Sequence, residues 1–196
     1  MRAVLAAIAA GELNAEARIL VTNNADCAAA QVAAAAGLPW RHVSAASEGS
    51  PEAADHAIAE ILSGAGAELV VLSGYMRKLG PQTLDRFKGR ILNIHPALLP
   101  RHGGQGLYGR RVHDAVRAAG DTRTGASIHL VDKDYDTGPV IAQAEVPVHP
   151  HDTVDDIEAR VRAAEPDLMV ATLRRIAEGE LELNRRSSDN ISDNIP

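Results

Sequence analysis

Short β-rich runs alternate with helical patterns along almost the whole chain, and nothing else in the sequence limits the fold so strongly. Residues 18–22, 68–73, 90–94, 126–131 and 139–148 read as strands, with a briefer one at 41–44. The run Glu68-Leu-Val-Val-Leu-Ser73 is continuously apolar in its middle, as a strand covered on both faces must be. Helical patterns fill the intervals. Residues 5–10 end a helix that Gly11 closes, and an Ala-rich helix over 26–36 stops at Gly37-Leu-Pro39. Pro51 stands at a helix start, followed by Ala54, Ile58, Ile61 and Leu62 at helical spacing. Shorter helices are expected over 81–87 and 112–119. A long one over 153–177 is capped by Asp152 or Thr153, carries Asp155 and Asp156 in its first turn, and is interrupted by Pro166. The alternation predicts an α/β domain: a Rossmann-like, mainly parallel sheet with helices on both faces.

A length of 196 residues is one domain's worth of chain. The domain is expected to span 1–183, with a polar, disordered tail over 184–196 that is rich in Ser, Asp and Asn. Aromatic residues make up only 3%, so the core must be built from Ala, Val, Leu and Ile. A formal net charge of −6 argues against a nucleic-acid partner. No apolar run approaches the ~20 residues of a membrane span, and Met1 opens no secretory signal, so a cytoplasmic protein without a membrane partner is expected. The single cysteine, Cys27, excludes an internal disulfide and a Cys-based zinc site. His149 and His151 lack carboxylates at metal-ligand spacing, and no metal is expected.

In an open α/β sheet, ligands bind beyond the carboxyl ends of the strands. Polar groups crowd one such end, in Asn93-Ile-His95-Pro-Ala-Leu-Leu-Pro100. Asn93 and His95 are two residues apart on a strand and therefore share a face. An amide donor beside an imidazole is what a developing oxyanion needs; the same spacing also suits a strand end with a capping Asn and a half-buried His. The loop Asp132-Lys-Asp-Tyr-Asp136-Thr-Gly138-Pro139 is dense in acids. Asp136, beside the Gly138-Pro139 turn, is the best placed to reach His95 and raise its pKa. A solvated acidic turn is the alternative. His129 serves equally well as a packed, hydrogen-bonded histidine. Gly103-Gly-Gln-Gly106 lacks the strand-turn-helix setting of a phosphate cradle and reads as an active-site loop leading to His113. Met76-Arg-Lys-Leu79 follows a buried strand at a ligand-facing edge.

Together, the runs Asn93 to Pro100, Gly103-Gly-Gln-Gly-Leu-Tyr-Gly109, Val112-His113 and Asp136-Thr-Gly-Pro139 resemble the folate-dependent phosphoribosylglycinamide formyltransferase family. The likeness runs from Met1 to about Leu181. It implies formyl transfer from 10-formyltetrahydrofolate to glycinamide ribonucleotide in purine biosynthesis, by a monomer or homodimer. By this resemblance Asn93 holds the formyl region and its oxyanion, His95 donates a proton, and Asp136 tunes His95. It further implies that Met76, Arg77, Lys78, Leu79, Asp132, Lys133, Asp134 and Tyr135 line the folate pocket. Arg162, Ala163, Ala164 and Glu165 would meet the ribonucleotide, with Glu165 on the ribose. Departures accompany the match. The chain resembles the family only from a point just after its opening apolar strand and Gly-x-Gly-Ser-Asn phosphate loop, which implies a sheet without its first, mid-sheet strand. Pro51 stands where the family has a folate-contacting arginine, and Pro166 falls beside the substrate segment. The alternatives are a formyltetrahydrofolate hydrolase-like enzyme, and a truncated or degenerate folate-binding relative without catalysis.

Overall fold

The computed structural model describes residues 1–183, so the expected tail over 184–196 lies outside the described residues. The elements alternate in the order α1 (Arg2–Ala9), β1 (Leu20–Thr22), α2 (Ala28–Ala35), β2 (Trp40–His42), α3 (Ala45–Glu48), α4 (Pro51–Gly64), β3 (Val70–Leu72), α5 (Pro81–Arg86) and β4 (Ile91–His95). They continue with α6 (Arg110–Ala118), β5 (Arg123–Leu130), β6 (Val140–Pro147) and α7 (Val154–Ala177). β1 and β2 form a parallel pair, and β3 lies parallel to β4. β5 then runs antiparallel to β4, with α6 between them in the chain, and β6 runs antiparallel to β5, to which the 131–139 loop joins it directly. Among the described residues the strands form two pieces, β1 with β2, and β3, β4, β5 and β6 in that order.

Both faces of the central strands are covered. The neighbours Ile91 and Leu92, 1% and 0% exposed, belong to different cores, since successive strand residues face opposite ways. Ile91 packs with Ile58 and Leu62 of α4, Leu79 and Phe87. Leu92 packs with Ala7 of α1, Ile128 of β5, and Met169 and Leu173 of α7. A third cluster joins Val116 of α6, Ala126, Val146, Ile157 and Val161.

Two helices differ from the sequence expectation, and the structure decides between the two caps expected for a third feature, the start of α7. α7 runs unbroken through Pro166. The proline removes one main-chain hydrogen bond, at about 3 kcal/mol. The buried stripe Ile157, Val161, Met169 and Leu173 extends on both sides of it and holds the helix against the sheet. Thr153 is the cap, in a reciprocal capping box with Asp156, whereas Asp152 pairs with Arg160 and accepts from the His149 N–H. α3 had no apolar periodicity to announce it and is held by a capping box between Ser44 and Ser47.

One buried contact positions the loop that becomes a wall of the site. The Asp55 carboxylate on α4 accepts the Gln82 and Thr83 N–H groups at 2.8 and 3.1 Å and so caps α5 from a different helix. Gly80 must stay a glycine here, since a Cβ would stand 2.3 Å from Asp55 Cγ. Asp55→Ala leaves those donors without partners and is expected to cost about 1–3 kcal/mol, measurable as a lower denaturant midpoint.

Candidate active site

At the carboxyl end of β4 a cleft of about 560 Å³ opens, bounded by the loop after β3, the 103–109 loop, the 131–136 loop and one face of α7. The alternation of β4 turns Asn93 and His95 to the same side, and the antiparallel register places His129 beside Asn93 and Ser127 beside His95.

His95 is 3% exposed. Its Nε2 lies 2.8 Å from the His102 carbonyl oxygen, which can only accept, so Nε2 carries a hydrogen and donates it. The nitrogen left to gain and lose a proton is Nδ1, which faces Asp136 Oδ2 at 3.4 Å. Burial lowers the His95 pKa, outweighing the upward pull of the Asp136 charge and the His102 carbonyl. The expected carboxylate effect is therefore present as the largest upward influence, but the net shift is downward. The reason is the depth of the imidazole, which the sequence did not disclose.

Asp136 sits in the left-handed backbone region, φ +56°, which Asp tolerates better than most residues. Its Oδ2 accepts the Gly104 N–H at 2.9 Å, and its Oδ1 lies 3.4 Å from His129 Nε2. Burial works to raise its pKa. The His129 imidazole, the Gly104 N–H and the nearby His95 outweigh that and leave it lowered, so the carboxylate stays charged. Gly138 secures the turn: a Cβ there would stand 1.9 Å from the Leu130 carbonyl oxygen.

His129 is packed against both partners. Its Nδ1 donates to the Leu130 carbonyl at 2.9 Å, while Nε2 lies 3.1 Å from Asn93 Nδ2, from which it accepts when unprotonated, and 3.4 Å from Asp136 Oδ1, to which it turns a hydrogen when protonated. One amide hydrogen of Asn93 is thereby committed, and the other is free for the cleft. A register irregularity between Ile128 and His129 re-aims the imidazole, as β-bulges beside active sites do. Beneath it, Ser127 Oγ donates to the Ala97 carbonyl at 2.6 Å and accepts from the Leu99 N–H at 2.9 Å. Gln143 Nε2 closes this buried network on Ser127 Oγ and the Leu99 carbonyl, pinning the loop that follows His95.

Of the remaining expected residues, Met76, Arg77, Lys78, Leu79, Asp132, Asp134 and Tyr135 line the cleft. Lys78 Nζ lies 5.5 Å above the Tyr135 ring and links the two loops. Lys133 does not reach the wall. Arg162 and Glu165 do, because they sit three apart on α7. Between them Ala163 is exposed and Ala164 packs into the third core cluster, so neither reaches the cleft. Burial raises the Glu165 pKa. Pro51 begins α4 over a Ser50 cap and is not among the lining residues.

The His102 carbonyl, the Gly104 N–H, Ser127 and Gln143 were not anticipated. Ser127 and His129 carried one usable signal, since Ser-Ile-His in a strand offers a two-residue spacing that matches Asn93-Ile-His95.

Along most of its length the chain is similar to known proteins. The model of the formyl transferase family matches residues 1–173. The chain is 38% identical over 173 residues to the chloroplastic phosphoribosylglycinamide formyltransferase of Arabidopsis thaliana, covering 88% of this chain and 59% of that protein. It is 32% identical over 183 residues to the phosphoribosylglycinamide formyltransferase of Haemophilus influenzae, covering 93% and 84% respectively. Among solved structures, glycinamide ribonucleotide transformylase 1 from Symbiobacterium toebii superposes with a TM-score of 0.86 at 34% identity, over 94% of this chain and 85% of that one. The chain thus spans little more than half of the plant relative's length and most of the bacterial ones'.

Proposed function

The chain belongs to the formyl transferase family, and on that premise we propose that it moves the formyl group of 10-formyltetrahydrofolate to the amine of glycinamide ribonucleotide in purine biosynthesis. The observation that carries this reading is the linked set Asn93, His129, Asp136 and His95 on one wall of a cleft that also reaches Met76, Tyr135, Arg162 and Glu165.

Transfer requires the amine nitrogen to bond to the formyl carbon while that carbon's bond to the folate N10 breaks. The amine loses a proton and N10 gains one. Between the two events the formyl oxygen carries negative charge. Asn93 Nδ2 has one hydrogen fixed by His129 and one left for that oxygen, a donor oriented before the reaction begins. A fixed donor of this kind lowers the barrier by about 3 kcal/mol. When protonated, His95 carries its mobile proton on Nδ1, 3.4 Å from the charged Asp136. The imidazole is thus positioned to deliver a proton as charge develops. The 76–79 and 132–135 loops, joined by Lys78 and Tyr135, form the wall offered to the folate. Arg162 and Glu165 on α7 offer the opposing wall to the ribonucleotide.

The test is turnover of 10-formyltetrahydrofolate by the purified chain, with and without glycinamide ribonucleotide. Formyl transfer that depends on the ribonucleotide is the expected result. Equal release of formate in its absence points to hydrolysis, and no turnover by a folded chain overturns the assignment.

A further inference from the structure

A neutral imidazole carries one hydrogen, and the nitrogen that holds it is set by the hydrogen bonds the ring makes. At His95 two acceptors compete for it. The His102 carbonyl oxygen lies 2.8 Å from Nε2, and the Asp136 carboxylate lies 3.4 Å from Nδ1. With the hydrogen on Nε2, Nδ1 is bare and open to the mobile proton. With the hydrogen on Nδ1, the bare Nε2 faces a carbonyl oxygen, an acceptor against an acceptor. The position of one main-chain oxygen therefore selects the form of His95 that meets a substrate.

That oxygen belongs to a residue in an uncommon conformation. His102 has φ +56°, in the left-handed region, which His enters more readily than most side chains. Its ring ties it down. His102 Nε2 donates to Asp121 Oδ2 at 2.6 Å, and the adjacent Arg101 Nη2 donates to Oδ1 of the same carboxylate, also at 2.6 Å. The side chains of His102 and Asp121 are each 14% exposed, whereas that of Arg101 is 65% exposed. The His102 contact is thus shielded, and the Arg101 contact is weakened by solvent. Asp121 is anchored in turn: it follows α6 through Gly120, φ +66°, and its N–H reaches back to the Val116 carbonyl at 3.4 Å. None of Arg101, His102 and Asp121 is among the residues lining the cleft, so they act on the site only from behind it.

We propose that Asp121 is a positioning residue for the reaction: through the His102 ring it fixes the His102 carbonyl against His95 Nε2 and so selects the His95 tautomer that leaves Nδ1 open. The catalytic meaning of this link rests on the formyl-transfer reading, while the link itself is a property of the free protein. Without the carboxylate, His102 is released toward ordinary backbone angles and its carbonyl turns from Nε2. The hydrogen then passes to Nδ1, against the charged Asp136, and occupies the place of the mobile proton.

The test uses the full chain with nitrogen-15-labelled histidine. Long-range proton–nitrogen spectra at about pH 8, where an imidazole with a lowered pKa is neutral, read which nitrogen of His95 carries the hydrogen. The parent is expected to show it on Nε2. Asp121→Ala removes the anchor, and His102→Asn removes the ring while keeping a residue that tolerates the left-handed region. Each is expected to move the hydrogen to Nδ1 and to lower kcat at least about tenfold with KM within about twofold, the scale on which outer partners of a functional histidine act. The double variant is expected to lose no more than either single one. Arg101→Ala severs the exposed half of the cluster and is expected to leave tautomer and kcat as in the parent. The proposal is overturned by a hydrogen on Nδ1 in the parent, by one that stays on Nε2 in both variants, or by a shifted tautomer with unchanged kcat. It is also overturned if Arg101→Ala shifts the tautomer as far as Asp121→Ala, which would make the carboxylate a general tether of the loop. If the parent transfers no formyl group, the functional reading fails and the tautomer alone decides the link.

Discussion

His95→Ala is expected to lower kcat by about 10² to 10⁴-fold while leaving the affinity for formyl folate within a few-fold of the parent. The imidazole is 3% exposed, and its Nε2 is already committed to the His102 carbonyl. What it can offer a substrate is the proton on Nδ1, and that matters most when charge has developed in the transition state. An interaction realised only there lowers kcat and kcat/KM together. Steady-state kinetics combined with a direct measurement of folate binding separates the two effects. A loss confined to KM would make His95 a binding residue. His95→Gln controls for the structural part of the loss, because its amide can still donate to the His102 carbonyl but has no proton to transfer. Similar losses in both variants assign the effect to the proton; a rescued kcat in the glutamine variant assigns it to the position of the 96–102 loop.

How much of this was legible in the sequence depended on whether a residue's role is local. The run Glu68-Leu-Val-Val-Leu-Ser73 announced a strand covered on both faces, because burial on both sides leaves a continuous apolar stretch. Asn93 and His95 were legible as a pair because a strand's period of two is a local rule, and Asp136 because the adjacent Gly138-Pro139 marks a turn. Long-range facts were not legible. That His129 joins Asn93 to Asp136 depends on the β4–β5 register and on an irregularity between Ile128 and His129, neither of which leaves a trace in the residues themselves. The His102 carbonyl and Gly104 N–H act through the main chain, where side-chain identity carries no information. The net direction of the His95 shift was not legible for a related reason. A neighbouring carboxylate can be guessed from spacing, but the depth of burial that outweighs it is a property of the packed whole. Pro166 gave the opposite error: a local rule against proline in helices was overridden by the buried stripe on either side of it.

Asp136→Asn tests the electrostatic half of the site, and its signature is a displaced pH profile. His95 serves as a donor only when protonated, a form that is complete below its pKa and lost as pH rises through it. Burial already holds that pKa below the ordinary imidazole value, and the Asp136 charge is the largest influence in the other direction. Removing the charge lowers the pKa further, so the alkaline limb of the rate profile moves to lower pH. Each further fall of one in the pKa cuts the protonated fraction about tenfold at pH values above it. A loss on the order of 10²-fold at neutral pH is expected, with part of the rate recovered as the solution is acidified. Asparagine still accepts from the Gly104 N–H, which holds the 103–109 loop in place and should leave KM for folate nearly unchanged. Asp136→Ala forfeits that anchor as well, so a rise in KM is expected on top of the lower rate. The decisive measurement is kcat against pH for the parent and the asparagine variant. If the two profiles have the same shape and differ only in height, Asp136 does not tune His95, and its part in the site reduces to holding the Gly104 loop and the turn before Gly138.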